Sequence, residues 1–474
     1  MARLAERVGY GLGDMSSSMF WKVFSYYLPF FYSNVFGLSL VDAGVLVLVT
    51  RIWDAVSDPM MGIVADRTQT RWGKYRPYLL MVAPLFSVCG ILLFTTPDWT
   101  YGAKLTYAYV TYILMMTVYT AINVPYGAML GVMTDDPQEK TVYSSFRMFF
   151  AYGGSFIALA SWEPLVSMFR NASCSVPDAW QRAMMVIAAL CFVLFLGTFA
   201  LTREHVHTVG TASVGRDLKA LLTNSPWWLL IGAALCFNLF NTVRGAAVAY
   251  YFADVVGFGQ TLDFRFSTLS FQLLFYAGLF LSIGEVANMA GVAMTVSLTR
   301  LFGKKNTFLG VNAALSVLSV LFFFIPVSPA GFWLMILLQV LISLLTGVMS
   351  PLIWSMYADV SDYAELRYHS ASTGLIFSSS SMAQKFGGAI GGAAVLWLLS
   401  ACGYTPRTDE QLAAQALIAQ PESALLCLRC LMSFIPAAVA LMAILVCHFY
   451  PLTTARVAEI NEKLKKERLK RDHS

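Results

Sequence analysis

The chain has 474 residues, of which 58% are hydrophobic and only 12% charged, with a formal net charge of +5. An ordinary soluble domain carries about 25% charged residues. This composition therefore excludes a globular protein with a large core and predicts a polytopic membrane protein.

A spanning helix needs about 20 apolar residues. Apolar runs between charged clusters predict about twelve spans, at 8–36, 40–65, 77–97, 103–132, 143–169, 182–202, 226–256, 268–299, 306–326, 330–358, 371–402 and 424–450. The first follows Arg3, Glu6 and Arg7 with no cleavage site behind it, so it is expected to be retained. It carries Asp14, Ser16, Ser17 and Ser18, with Lys22 one turn beyond Ser18.

Span 2 holds the segment most at odds with a bilayer, Arg51-Ile-Trp-Asp54-Ala-Val-Ser-Asp58-Pro59. A spacing of four places Asp54 and Asp58 on one helix face, with Cβ atoms roughly 5–6 Å apart. Each carboxylate is costly in hydrocarbon, the two repel, and a cation between them removes both penalties. Arg51 can neutralise Asp54 as a plain structural pair, but one arginine cannot satisfy both carboxylates. The following loop carries Asp66, Arg71, Lys74 and Arg76. Its charges are expected to form a gate with acidic groups at other inner loops, among them Asp135 after span 4 and Asp359 and Asp362 after span 10.

Span 4 reads Tyr119-Thr120-Ala-Ile-Asn123-Val-Pro125-Tyr126. Pro125 removes a mid-span hydrogen bond and frees a carbonyl one turn earlier. Thr120 and Asn123 add neutral oxygens, so Asp54, Asp58, Thr120 and Asn123 form the expected cation site. That ligand set leans to Na⁺; H⁺ needs only the carboxylates. Span 5 adds Arg147, span 7 adds Asn238, Asn241 and Arg244 at a three-residue stagger, and span 11 adds Ser378 to Ser381, Gln384 and Lys385. Hydroxyls and amides with a few charges suit a polyhydroxylated ligand. The expected substrate contacts are Ser18, Lys22, Tyr119, Tyr126, Arg147, Asn241, Arg244, Trp354, Ser381 and Lys385, although most membrane aromatics pack or anchor.

The halves echo each other. Arg71-Trp-Gly73-Lys74 after span 2 matches Arg300-Leu-Phe-Gly303-Lys304 after span 8, and Asp135 after span 4 matches Asp359 after span 10. This predicts an internal duplication, with a first bundle at 1–202, a middle loop at 203–225, a second bundle at 226–450 and a basic tail at 451–474. Lys and Arg concentrate in the loops on the side of the termini, which predicts that both termini are cytoplasmic. The tail fits an anchor at anionic lipid better than a nucleic-acid arm.

Five segments together resemble a known family: Gly9-Tyr-Gly-Leu-Gly-Asp14, Arg51-Ile-Trp-Asp-Ala-Val-Ser-Asp-Pro-Met-Met-Gly62, Arg71-Trp-Gly-Lys-Tyr-Arg-Pro77, Asn123-Val-Pro-Tyr126 and Ala358-Asp-Val-Ser-Asp-Tyr363. They are similar to the glycoside–pentoside–hexuronide:cation symporters of the major facilitator superfamily, which include the melibiose permease. The resemblance runs from about Gly9 to Leu452. It implies that Asp54 and Asp58 hold the cation with help from Thr120, and that Arg147 and Lys385 are retained site residues. Asn123 and Ser18 stand where the permease has aspartates, and Gly127 where it has a tryptophan. The galactoside mode is therefore not implied, while cation symport is. Lys22, one turn from the lost sugar-binding carboxylate, points to an acidic substrate such as a uronide or a sulfonated sugar. Its pairing with Glu163 or Glu285 would instead leave a neutral pentoside or glucoside.

The expectation is an all-α membrane protein of the major facilitator fold, with twelve transmembrane helices in two six-helix bundles. Its function would be cation-coupled (Na⁺ or H⁺) sugar or glycoside symport by alternating access, as a monomer in a bacterial inner membrane. No cofactor, nucleic acid or enzymatic activity is expected, since the spans hold no His/Glu metal pair and no Ser/His nucleophile. A carrier of lysolipid or another amphiphile on the same fold is the alternative.

Overall fold

Helix starts follow the local chemistry. Ser39 Oγ accepts the Asp42 N–H to open the helix Leu40–Arg67, Ser175 caps Val176–Leu201 through Asp178 N–H, and Asn224 caps Ser225–Tyr251 through Trp227 N–H. These are side-chain caps for donors that have no partner inside a helix. The computed structural model describes residues 2–134, 137–172, 174–205, 223–257, 260–266, 269–368, 373–408, 411 and 419–472. The first half is α1 (Ala2–Phe30), α2 (Leu40–Arg67), α3 (Arg76–Leu93), α4 (Tyr101–Met133), α5 (Pro137–Asn171) and α6 (Val176–Leu201). The second is α7 (Ser225–Tyr251), α8 (Ala277–Phe302), α9 (Lys304–Phe323), α10 (Pro329–Tyr368), α11 (Thr373–Ala401), and a last crossing built from α12 (Glu422–Met432) and α13 (Phe434–His448). A terminal helix, α14 (Thr454–Asp472), lies against α10. Twelve crossings bring both termini to one end of the molecule, the near end. Most of the expected middle loop, 206–222, lies outside the described residues.

Eight of the crossings are long and apolar enough to span a bilayer by length and composition alone. The other four, α1, α2, α5 and α11, carry Asp14 and Lys22, Arg51, Asp54 and Asp58, Arg147 and Glu163, and Lys385. Polar cost within a membrane is tolerated at interior sites, and these four helices line the contact between the halves. Packing repeats with a step of six helices. α1 packs on α5 and α6 as α7 packs on α11 and α13; α2 on α4 as α8 on α10; α3 on α4 and α6 as α9 on α10 and α13. Across the halves α2 meets α11, α8 meets α5 and α1 meets α7. Even the helix ends match, because α1 and α7 both finish in a five-residue π turn, Phe31–Val35 and Phe252–Val256.

Three spans differ from expectation. α8 begins at Ala277 rather than 268, because Thr261–Phe266 and Leu269–Leu274 form an antiparallel hairpin. Leu269, Phe271 and Leu273 alternate with Ser270 and Gln272, a period of two that suits a strand. α10 runs on to Tyr368, so Asp359 and Asp362 sit on a helix and not in a loop. The last crossing breaks at Ser433 (φ −133°, ψ −83°). Pro436 has no N–H for the Met432 carbonyl, and Arg244 Nη1 donates to that oxygen instead, at 3.2 Å.

At the far end, contacts join the halves. Ser33 Oγ and Tyr250 Oη are 2.7 Å apart, Gly278 N–H and Tyr27 Oη both donate to Glu163, and Tyr276 Oη donates to Ala160 O. Arg407 donates from its backbone to Asn34 Oδ1 and from its guanidinium to Asp254, which also accepts from Tyr404. Burial beside Asp254 holds the Tyr404 phenol well above its ordinary pKa, so it stays a donor. Arg407 and Asp254 are both 0% exposed.

Candidate cation and substrate sites

α2 and α4 cross where Asp54, Ser57 and Asp58 face Thr120. Thr120 Oγ1 lies 3.2 Å from Asp54 Oδ1, 3.0 Å from Asp58 Oδ1 and 3.1 Å from Ser57 Oγ. A hydroxyl has one proton to donate, so it cannot satisfy both carboxylates together. Asp54 is fully buried, whereas the Asp58 side chain is 29% exposed. Arg51 is not their counter-ion. Its guanidinium lies over the Trp21 ring at 4.2 Å and makes no ion pair among the described residues.

The counter-ion is Lys385, which reaches across from α11 in the other half. Its Nζ bonds Asp58 Oδ2 and lies 3.1 Å from Asp54 Oδ2, an ion-pair distance but off-line for a hydrogen bond. This corrects the expectation of Lys385 as a substrate contact, since its ammonium is spent inside the carboxylate site. Two carboxylates and one ammonium leave a single negative charge, which one monovalent cation cancels. Asn123 is also corrected. Its Nδ2 donates to Tyr119 O in its own helix at 3.1 Å, and the structure does not join it to either aspartate. Ser57, outside the expected set, places a further neutral oxygen beside Thr120 and donates to the Asp54 backbone carbonyl. Among the described residues no group of three His, Cys, Asp or Glu side chains is placed to hold a metal ion.

The expected substrate residues separate. Ser18 and Tyr119 stay half-buried, with Tyr119 5.3 Å from the Trp21 ring. Arg147 Nε donates to Asp14 Oδ2 at 3.0 Å, with a third of its side chain exposed. Trp354 lies edge-on to Tyr357. The Ser381 side chain lies outside the described residues. Tyr126 is a correction: it is 1% exposed, stacks on Tyr10 at 4.9 Å and donates to Tyr10 O, so it packs α4 against α1 and offers no face to a ligand. Lys22 pairs with Glu285 of α8 and not with Glu163. Asn241 and Arg244 turn into the second half, where Arg244 is buried and also donates to Gln339 Oε1 at 2.8 Å.

Several of the expected gate residues make contacts within their own half. Glu204, after α6, accepts the backbone N–H groups of Lys74, Tyr75 and Arg76 at 2.7–2.9 Å. This carboxylate therefore caps α3, where the helix dipole favours it. Gly73 makes the cap possible, because its φ is +114° and a Cβ there would stand 2.6 Å from the Glu204 carboxyl carbon. Arg76 donates to Trp72 O and Phe199 O, and Arg71 lies over Trp72. In the second half, Lys304 pairs with Asp359 at 2.7 Å. These contacts each stay within one half. Asp135 and the Asp66 side chain lie outside the described residues. A cavity of about 550 Å³, lined by Trp162, Glu163, Trp180, Phe252 and Tyr276, lies at the far end beneath the hairpin, away from the aspartate pair.

Two six-helix halves with paired carboxylates where they meet define a membrane transporter rather than an enzyme. Residues 9–454 match the MFS/sugar transport protein family, and the chain belongs to it. It is 35% identical over 98% of its length, and 95% of the relative's, to YagG of Escherichia coli (strain K12), provisionally named a glycoside/cation symporter. It is 34% identical to the isoprimeverose transporter of Lactiplantibacillus pentosus, over 88% of this chain and 84% of that one. The crystal structure of a point mutant of the nucleoside transporter NupG superposes with a TM-score of 0.66 at 13% identity, covering 95% of this chain and all of that one, a likeness of fold.

Proposed function

We propose that this protein is a cation-coupled symporter for a neutral glycoside, working by alternating access in a bacterial inner membrane with its near end cytoplasmic. The observation that carries the reading is the carboxylate pair on α2, joined to Thr120 and half-compensated from the opposite half by Lys385. An entering Na⁺ or H⁺ competes with that ammonium, so cation binding changes the bond between α2 and α11. The oxygen-only ligand set of Asp54, Asp58, Thr120 and Ser57 suits Na⁺. Ser18, Trp21, Tyr119 and Arg147 lie on neighbouring turns of α1, α4 and α5, where a sugar ring finds aromatic faces and donors. A neutral sugar is favoured because Lys22 already has its carboxylate in Glu285. Coupling is the mutual gain in affinity between cation and sugar.

The test is glycoside uptake into vesicles under imposed Na⁺ or pH gradients. Asp58→Asn is expected to abolish stimulation by the coupling ion, and undiminished stimulation in that variant would overturn the cation site.

A further inference from the structure

The duplication places a second niche in the other half. The offset of 230 that separates Gly73 from Gly303 also separates Asp54 from Gly284 and Asp58 from Asn288. The packing agrees: Thr346 of α10 donates to Asn288 Oδ1 of α8 at 2.9 Å, as Thr120 of α4 donates to Asp58 Oδ1 of α2 at 3.0 Å. Here the charges are gone from the matching positions. A Cβ on Gly284 would lie 2.7 Å from both Gln339 Nε2 and Ser343 Oγ, so the space of the lost side chain belongs to two neutral polar groups.

A cavity of about 50 Å³ opens between α7, α8, α10 and Tyr26 of α1. Glu285, only 3% exposed, gives Oε1 to Lys22, while its buried Oε2 has no hydrogen-bond partner. At roughly 10–15 Å³ for each water-sized group, the cavity takes a few hydroxyls and not a sugar ring. Lys22, Arg244 and Glu285 leave it one positive charge, which disfavours a second cation. The free carboxylate oxygen disfavours an anion and calls for a donor.

We infer that this niche is a hydroxyl-reading subsite, in which Glu285 Oε2 accepts a hydroxyl or hydroxymethyl group of an uncharged sugar held in the central site, beside the Gln339 and Asn288 amides. Lys22 is a positioning residue that fixes Glu285. A sugar bound in this way touches α1 and α8 together and so joins the halves. The inference rests on the glycoside reading above.

The test uses the full chain in nanodiscs, with direct binding of a panel of neutral glycosides, their singly deoxygenated analogues and matching uronides. The wild type is expected to bind at least one neutral glycoside. Glu285→Gln is expected to weaken that binding at least tenfold and to leave the affinity for one deoxy analogue unchanged, with cation affinity at Asp58 unaltered. Glu285→Asp, which keeps the charge but withdraws the oxygen by one carbon, is expected to fall between, and it serves if the amide variant does not fold. Equal affinity in wild type and variants for every sugar overturns the subsite and means that Oε2 meets water only. Preference of the wild type for uronides also overturns it. A wild type that binds no sugar in the panel overturns the glycoside reading itself.

Discussion

Two niches at matching places in the two halves differ in charge. In the first, α2 brings Asp54 and Asp58 against Thr120, and one ammonium from the other half leaves them a single negative charge. In the second, α8 brings Gly284 and Asn288 against Thr346, and the local carboxylate has moved one residue on, to Glu285, where Lys22 meets it. On the proposed reading, backbone geometry does not distinguish the cation site from the sugar subsite. The carboxylate count does, because repulsion between paired carboxylates is what a cation relieves.

Removing the charge from the first niche should have the largest effect. Asp54→Asn takes away a fully buried ligand, and cation affinity measured by titration should fall roughly a hundredfold or more. Lys385→Ala removes the internal competitor. Cation affinity should then rise by about tenfold while coupled uptake is lost; an unchanged affinity would mean that Lys385 does not compete. The smallest contrast is between the two threonines. Thr120→Val should weaken the cation by about tenfold, and Thr346→Val should leave cation affinity within error.

The near-end loops repeat the lesson with a different outcome. Gly73 and Gly303 both take positive φ, +114° and +78°, at the start of α3 and α9. The group against Gly73 is the Glu204 carboxylate, whereas against Gly303 it is the Thr454 hydroxyl. Glu204→Gln should remove a charge-assisted cap and cost about 1–2 kcal/mol of stability, read as a lower denaturation midpoint.

Much of this was legible in the sequence. The spans, the Asp54–Asp58 face, Thr120 and the Gly73–Gly303 repeat all follow from spacing within one helix or from order along the chain. What escaped depends on contacts far apart in sequence. Lys385 and Asp58 are separated by 327 residues, and Lys74 and Glu204 by 130. No local pattern says that such groups meet. Tyr126 misled for another reason, since an aromatic at mid-span reads alike whether it stacks on a sugar or on Tyr10. Asn123 misled because an amide three residues from a ligand can turn to its own helix backbone. The neutral character of the second niche was within reach, since carrying the offset of 230 forward from Asp58 lands on Asn288.

The Arg407 cluster has a mechanical consequence. Arg407, Asp254 and Tyr404 all belong to the second half, so their charges travel as one body if the halves separate. What crosses the seam beside them is the Arg407 N–H bond to Asn34 and the Ser33–Tyr250 hydroxyl pair. Each is a neutral bond worth about 1 kcal/mol net. At this cluster the strong bonds run alongside the seam and the weak ones across it, as perforation runs beside a stiff edge. This stretch of the seam can part and reform without dismantling the Arg407–Asp254 ion pair.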